Sequence, residues 1–368
     1  MKIRIESKAL HGILKSVAQV IDKGPSLPAL RCVLIEADQH VRVQATNLEQ
    51  HYALDSLDPD DSLVSSKGAL LLPAKKLTEI VSLQDGPIEI SSTASKPQVA
   101  SIKSDQAEYE LHSLSPDEYP PHTADKTKTY KLPAGPFKAA LRRVAPAMST
   151  DATRYVLCGV YFQAHKNKIL FAATDGRRLC VDSLPYEPGA HQFGNCIVPA
   201  KAVHVLTKHL PTDTEDAVVI QVGNKSAIFT WTGHQLHTRL VEGNYPNYEQ
   251  ALPDNSADVK VKMDADVLKC VLCKAAAMCS DNPAVKLQIA DGGLTASTNV
   301  PDYGTASVHT KDITAQPGPV AVDFNPSYMI ELLANLTGDL EFHFRDELSP
   351  LVLKQKRFTA VLMPLRMG

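Results

Sequence analysis

Three residues in the run Ala173-Thr174-Asp175-Gly176-Arg177-Arg178-Leu179 could do chemistry together. A carboxylate beside two guanidiniums can grip a phosphate and pass a proton. The same residues also make a turn, because Asp-Gly favours a tight reversal between strands. A second candidate is the Cys270-x-x-Cys273 pair, one half of a zinc site. Zinc needs a second ligand pair at matching spacing, and none is apparent. The simpler reading is two small apolar residues one turn apart on a helix. The chain has no phosphate loop of the Gly-x-x-x-x-Gly-Lys-Ser/Thr type, and no Gly-x-Gly-x-x-Gly, His-Glu-x-x-His or Gly-x-Ser-x-Gly. These residues therefore point away from an enzyme, and no cofactor or metal is expected.

The elements that must position such residues recur. A short alternating strand leads into an amphipathic helix three times: Lys2-Ile3-Arg4-Ile5 then 7–22, Tyr130-Lys131-Leu132 then 133–149, and Val259-Lys260-Val261-Lys262 then 264–280. In the first of these helices Leu10, Ile13, Leu14 and Val17 follow the spacing of one buried face. A second unit is an apolar strand running into a helix with proline at its start: Leu70-Leu71-Leu72-Pro73, Cys196-Ile197-Val198-Pro199 and Val322-Asp323-Phe324-Asn325-Pro326. Proline is tolerated there because the first helical N–H groups have no intrahelical partner. Pro73, Pro199 and Asn325 stand 126 residues apart, as do Tyr119-Pro120 and Tyr245-Pro246. Runs such as Val33–Ala37 and Val218–Val222 alternate with period two and read as antiparallel strands. The fold class expected is α+β: three repeated domains, each two helices packed on antiparallel sheets, at 1–124, 125–252 and 253–368. The Pro/Asp-rich stretches 116–128 and 253–258 are the expected boundaries.

The 368 residues, 44% hydrophobic and 21% charged, suit several domains with real cores, and no apolar run reaches membrane-spanning length. The opening residues alternate apolar and charged types with no signal-peptide core, and seven scattered cysteines do not suggest a disulfide framework. A cytoplasmic protein is expected. The net charge of −3 argues mildly against nucleic acid, but binding depends on where charges lie. The expected helices are cationic and the remainder acidic. Segments 133–149 and 199–210 hold Lys138, Arg142, Arg143, Lys201 and Lys208 and no acid at all. Soluble helices usually mix signs through i,i+4 pairs, so this segregation suggests one surface facing a polyanion. Phosphate contacts without base readout would allow binding at any sequence, and sliding.

Four motifs in order resemble one family. They are the run 173–179, Gly24-Pro25-Ser26-Leu27-Pro28-Ala29-Leu30, Phe324-Asn325-Pro326-Ser327-Tyr328, and the tail Val361-Leu362-Met363-Pro364-Leu365-Arg366-Met367. Together they resemble the bacterial β sliding clamps, the β subunits of DNA polymerase III, over the whole chain. The resemblance implies a head-to-tail homodimer closing six DNA-clamp domains into a ring around double-stranded DNA, opened by a clamp loader. Its DNA-facing positions carry over to Lys23, Lys75, Lys76, Lys138 and Lys201; Arg142, Arg143 and Lys208 are added from charge. Its dimer seam implies Tyr109 and Leu111 against Met278 and Cys279.

The resemblance further implies a pocket for short apolar motifs of the polymerase III α subunit and other replication and repair proteins. Here it would comprise Leu157, Thr174, Gly176, Arg177, Arg178, Leu179, Pro246, Asn325, Tyr328, Leu348, Val361, Met363, Pro364, Leu365 and Arg366, with Arg154 and Val156 nearby. An apolar groove with a few orienting polar groups is a sound peptide receptor. This chain departs from the family pattern at Gln250 and Ala251, where Arg and Val are common, at Arg177, where His is common, and in ending Met367-Gly368. These departures bear on the peptide preferred. A scaffold that never encircles DNA would share the pocket but leave the cationic helices unexplained. Sequence-specific readout lacks a helix-turn-helix or zinc-finger setting.

Overall fold

The structure, a computed structural model, describes every residue except 22–23, 25–26, 57–60, 94–95, 122–127, 187–193, 214–215, 253–258, 280–282, 291, 316–318 and 366–368. Lys23, Arg366, residues 122–127 of the first expected boundary stretch and all of 253–258 therefore lie outside the described residues. Six α-helices form where the two repeated units place them: α1 Ser7–Val17, α2 Ala74–Ser82, α3 Ala134–Val144, α4 Ala200–His209, α5 Ala265–Ala276 and α6 Pro326–Leu333.

Each helix follows its strand almost without a linker, and side-chain caps close the starts of α5 and α6. The Asp264 carboxylate accepts the Asp266 and Val267 N–H groups at 2.8 and 3.3 Å, satisfying donors that the first turn of α5 leaves open. Asn325 does the same for Ser327 at 2.9 Å in α6. The ends come earlier than the periodicity suggests. α1 gives way to a 3₁₀ turn at Ala18–Val20 and α3 to one at Ala145–Ala147, where Pro146 lacks the N–H that a further α-turn needs.

The chain divides into two compact units: Met1–Ala134 with His204–Leu240, and Gly135–Val203 with Val241–Gly368. The first unit holds a five-stranded antiparallel sheet ending at Glu108–His112, and an eight-stranded sheet. In the latter, strand His234–Arg239 pairs antiparallel with Gln50–Asp55, joining strands far apart in sequence. α1 and α2 pack on each other and bury Leu10, Leu14, Leu77 and Val81.

The second unit repeats the plan. Its nine-stranded sheet is joined where Arg178–Pro185 pairs with Phe358–Leu362, and its four-stranded sheet ends at Gly304–Thr310. α5 packs on α6 and buries Leu268, Val271, Leu272 and Ala275. Cys270 and Cys273 occupy one helix, one turn apart, but on its exposed side rather than in the core. Among the described residues no group of three or more His, Cys, Asp or Glu side chains could hold a metal, and no helix is long and apolar enough to cross a membrane.

Candidate peptide-binding groove and cationic helices

The turn at 174–178 is built from local hydrogen bonds. The Thr174 hydroxyl donates to the Arg178 carbonyl at 2.7 Å and accepts from Gly176 N–H at 3.1 Å. Asp175 Oδ1 accepts from the backbone N–H of Arg177 and Arg178 at 2.8 and 2.9 Å. Gly176 takes φ +86°, a left-handed conformation open to glycine. The Asp175 carboxylate is thereby occupied in holding the turn. It is a structural anchor, not a general acid.

Tertiary contacts then fix the arginines. Arg178 is buried; its Nε reaches Asp175 Oδ2 at 3.0 Å and its Nη1 reaches Glu331 Oε2 at 2.7 Å. Its guanidinium lies over the Tyr328 ring. Arg177 Nη1 donates to the Tyr328 hydroxyl at 3.1 Å, and that contact holds the exposed Arg177 guanidinium above its ordinary pKa, with Asp175 adding to it. Arg154 Nη1 donates to the Asp175 carbonyl at 2.8 Å while its Nε pairs with Asp151. Thr174, Gly176, Arg177, Arg178, Arg154 and Tyr328 thus form one assembly.

The tail runs past this turn. Met363 N–H donates to the Arg177 carbonyl at 2.9 Å, and Leu365 N–H to the Asp323 carbonyl at 2.7 Å. Strand pairing beneath sets Leu179 opposite Val361. Leu157, Leu179 and Val361 are buried, and the last two join Ala172, Val181 and Tyr248 in a core cluster with Tyr245 and Leu252 packed on it. They form a floor. The apolar side chains presented to solvent are Met363 at 50% and Leu365 at 37% exposure, with Pro364 half-buried between them.

Pro246, Gln250 and Ala251 are exposed on the segment that carries Tyr245 and Tyr248 onto this cluster. Val156 lies against Gly243. Asn325 is half-buried, its side chain engaged in capping α6. Leu348 is 68% exposed in a turn held by Asp346. Sequence reasoning passed over Tyr155, which is 58% exposed between Arg154 and Val156 and reaches Gly243. An aromatic in a segment without core periodicity was the available signal. It also missed Glu331, whose partner is 153 residues away.

Among the cations, Lys75, Lys76, Arg142, Lys201 and Lys208 are exposed, and Lys76 pairs with Glu79 at 2.8 Å. Lys138 is half-buried; burial first, then the neighbouring Arg142, lowers its pKa. Arg143 is differently employed. Its Nε meets Oδ2 of the fully buried Asp182 at 2.6 Å, so its charge is matched inside the protein. On the two outer strands, Tyr109 and Leu111 are half-buried on Glu108–His112, and Met278 lies against Gly304 at the start of Gly304–Thr310, with Cys279 half-buried after it.

Repeated α+β domains carrying exposed apolar side chains beside a turn whose polar groups are spent on fixing its shape define a binding protein. Three family models match in order: the DNA polymerase III beta subunit N-terminal domain over residues 1–123, the central domain over 131–247 and the C-terminal domain over 249–366. The chain belongs to this family, the non-catalytic sliding clamp subunits of DNA polymerase III. It is 26% identical over 367 residues to the beta sliding clamp of Staphylococcus aureus, covering 96% of each chain. Among solved structures it is similar to the sliding clamp of Bartonella birtlesii bound to griselimycin, at 27% identity, TM-score 0.90 and full coverage of both chains. It shares the fold of the Bacillus subtilis sliding clamp at TM-score 0.91, 22% identity and full coverage of both.

Proposed function

We propose that this chain is a processivity factor: two copies join head to tail, encircle duplex DNA without reading its sequence, and tether polymerase and repair proteins through the groove. Its domains would run 1–124, 125–252 and 253–368. Among the described residues Glu108–His112 and Gly304–Thr310 each pair on one side only, and they would pair with those of a second copy, with Tyr109 and Leu111 set against Met278 and Cys279; sheet edges favour such joining. Lys23, Lys75, Lys76, Lys138, Arg142, Lys201 and Lys208 would face phosphate. Arg143 is left out because Asp182 already holds it. The groove would take short apolar motifs from the polymerase III α subunit and other replication and repair proteins; the protein would work in the cytoplasm, where a clamp loader would open the ring.

The observation that carries the reading is the ordered match of all three clamp domains on a chain whose α3 and α4 hold cations and no acid. Counterion release makes simple phosphate contacts fall off steeply with salt. A closed ring escapes that rule on a circle. The protein loaded onto closed circular DNA is expected to survive a high-salt wash and to leave when the circle is cut. Loss from intact circles at the same salt as from linear DNA would defeat the proposal.

A further inference from the structure

The seven cysteines are not equivalent. Cys32, Cys180 and Cys196 are buried, and burial pushes their thiols up, Cys32 to about 11 and Cys196 to about 12. The Cys158 thiol lies against the Asp151 and Arg154 carbonyls, and the Cys279 thiol against Ala284 O and Thr298 Oγ1. Only Cys270 and Cys273 are exposed. Cysteine is among the residue types most often buried, so two on one outward helical stripe call for an account.

That stripe carries charge. Asp266, Cys270, Cys273 and Lys274 are exposed along α5, and Lys269 is half-buried. Residues three or four apart on a helix are neighbours. Cys273 therefore has Lys269 one turn before it and no acid at any position three or four away. Cys270 has Lys274 one turn after it but Asp266 one turn before. Both thiols meet positive charge, and Cys273 more purely. Helix geometry also restrains them from each other: i,i+3 side chains have Cβ atoms roughly 5–6 Å apart, whereas a disulfide needs about 3.5–4.5 Å. A direct Cys270–Cys273 bond would therefore strain α5.

We propose that Cys273, with Cys270 as the secondary thiol, is a modification site for small anionic disulfides of the glutathione kind. The Cys273 thiolate attacks one sulfur of the disulfide, a protein–glutathione S–S bond forms, the reagent's S–S bond breaks, and glutathione thiolate leaves with the electron pair. Lys269 and Lys274 attract the reagent's carboxylates. Because Cys270 cannot reach the new bond without distorting α5, the adduct persists until an external thiol reverses it. The proposal concerns the protein alone and needs no DNA to test.

The test incubates the folded full-length protein with glutathione disulfide and, separately, with the cationic disulfide cystamine, each rate normalised to the urea-unfolded chain. Peptide mass mapping should place the first glutathione adduct on Cys273 and the second on Cys270, with Cys32, Cys180 and Cys196 modified only after unfolding. Cys273→Ser should slow the first adduct at least about fivefold and Cys270→Ser much less, and added salt should erase the preference for glutathione disulfide over cystamine. A Cys270–Cys273 disulfide as the product, even labelling of all seven cysteines, or faster reaction with cystamine would each overturn the assignment.

Discussion

The Arg178 guanidinium carbon lies 4.6 Å from the centroid of the Tyr328 ring, while the same side chain joins Asp175 to Glu331. One buried cation thereby locks a turn, a helix and the Tyr328 ring into a single piece. A planar guanidinium can stack and pair in two directions at once; an ammonium cannot.

Arg178→Lys is accordingly expected to keep the charge and lose the geometry. Thermal unfolding should show a loss of about 1–2 kcal/mol, and a fluorescent peptide ending in apolar residues should bind about tenfold more weakly. Unchanged peptide affinity would mean that Tyr328 needs no such brace.

Exposed and buried apolar residues at the groove should separate stability from binding. Met363→Ala, at an exposed position, should shift stability by less than about 0.5 kcal/mol yet weaken the peptide about tenfold. Leu179→Ala, in the core cluster, should lower stability by about 3 kcal/mol. Chemical denaturation and fluorescence anisotropy on the same samples decide the split.

The turn at 174–178 has a counterpart at 46–50. Thr46 donates to the Gln50 carbonyl at 2.8 Å and accepts from Leu48 N–H at 3.1 Å, and Asn47 Oδ1 accepts from Glu49 and Gln50 N–H, as Thr174 and Asp175 do. The tip residue is Leu48 at φ +74° where the other turn has Gly176 at φ +86°. Leu48→Gly should stabilise by up to about 1 kcal/mol. Gly176→Ala should destabilise by about 1 kcal/mol or more, because a Cβ there would stand 3.0 Å from Arg154 Nη1 besides straining the backbone. Urea midpoints of the two variants should move in opposite directions.

Acid should weaken the first unit through His234. Its ring stacks on Trp231 at 4.8 Å and its Nδ1 meets the Tyr52 hydroxyl at 2.7 Å, with His209 close by. Burial, then the His209 charge, depresses its pKa from 6.5 to about 4. The unfolded chain therefore takes up this proton first as pH falls. The stability is fully present above pH 6.5, declines toward pH 4, and is level below that. For a partly solvated ring this contribution is about 1–2 kcal/mol. His234→Phe should flatten that slope when urea midpoints are measured across the window.

The sequence by itself determined the threefold repeat, the six helices and the turn at 174–178, because each rests on local rules: side-chain period, first-turn proline, and an Asp-Gly pair bonding its own backbone. Pro146 shortens α3 by an equally local rule that periodicity alone overlooked. Only the tertiary structure decided which charges are spent and which are offered. Charge alone grouped Arg143 with Arg142, yet strand Arg178–Pro185 sets Asp182 against Arg143 and leaves Arg142 in solvent. Arg178 meets Glu331 because strand and helix bring them together, and hydrophobicity could not say that Leu179 is core while Met363 is exposed. An ion pair or a buried face depends on the register between distant strands, and that register is set by the packing of the whole unit, which no window of sequence contains.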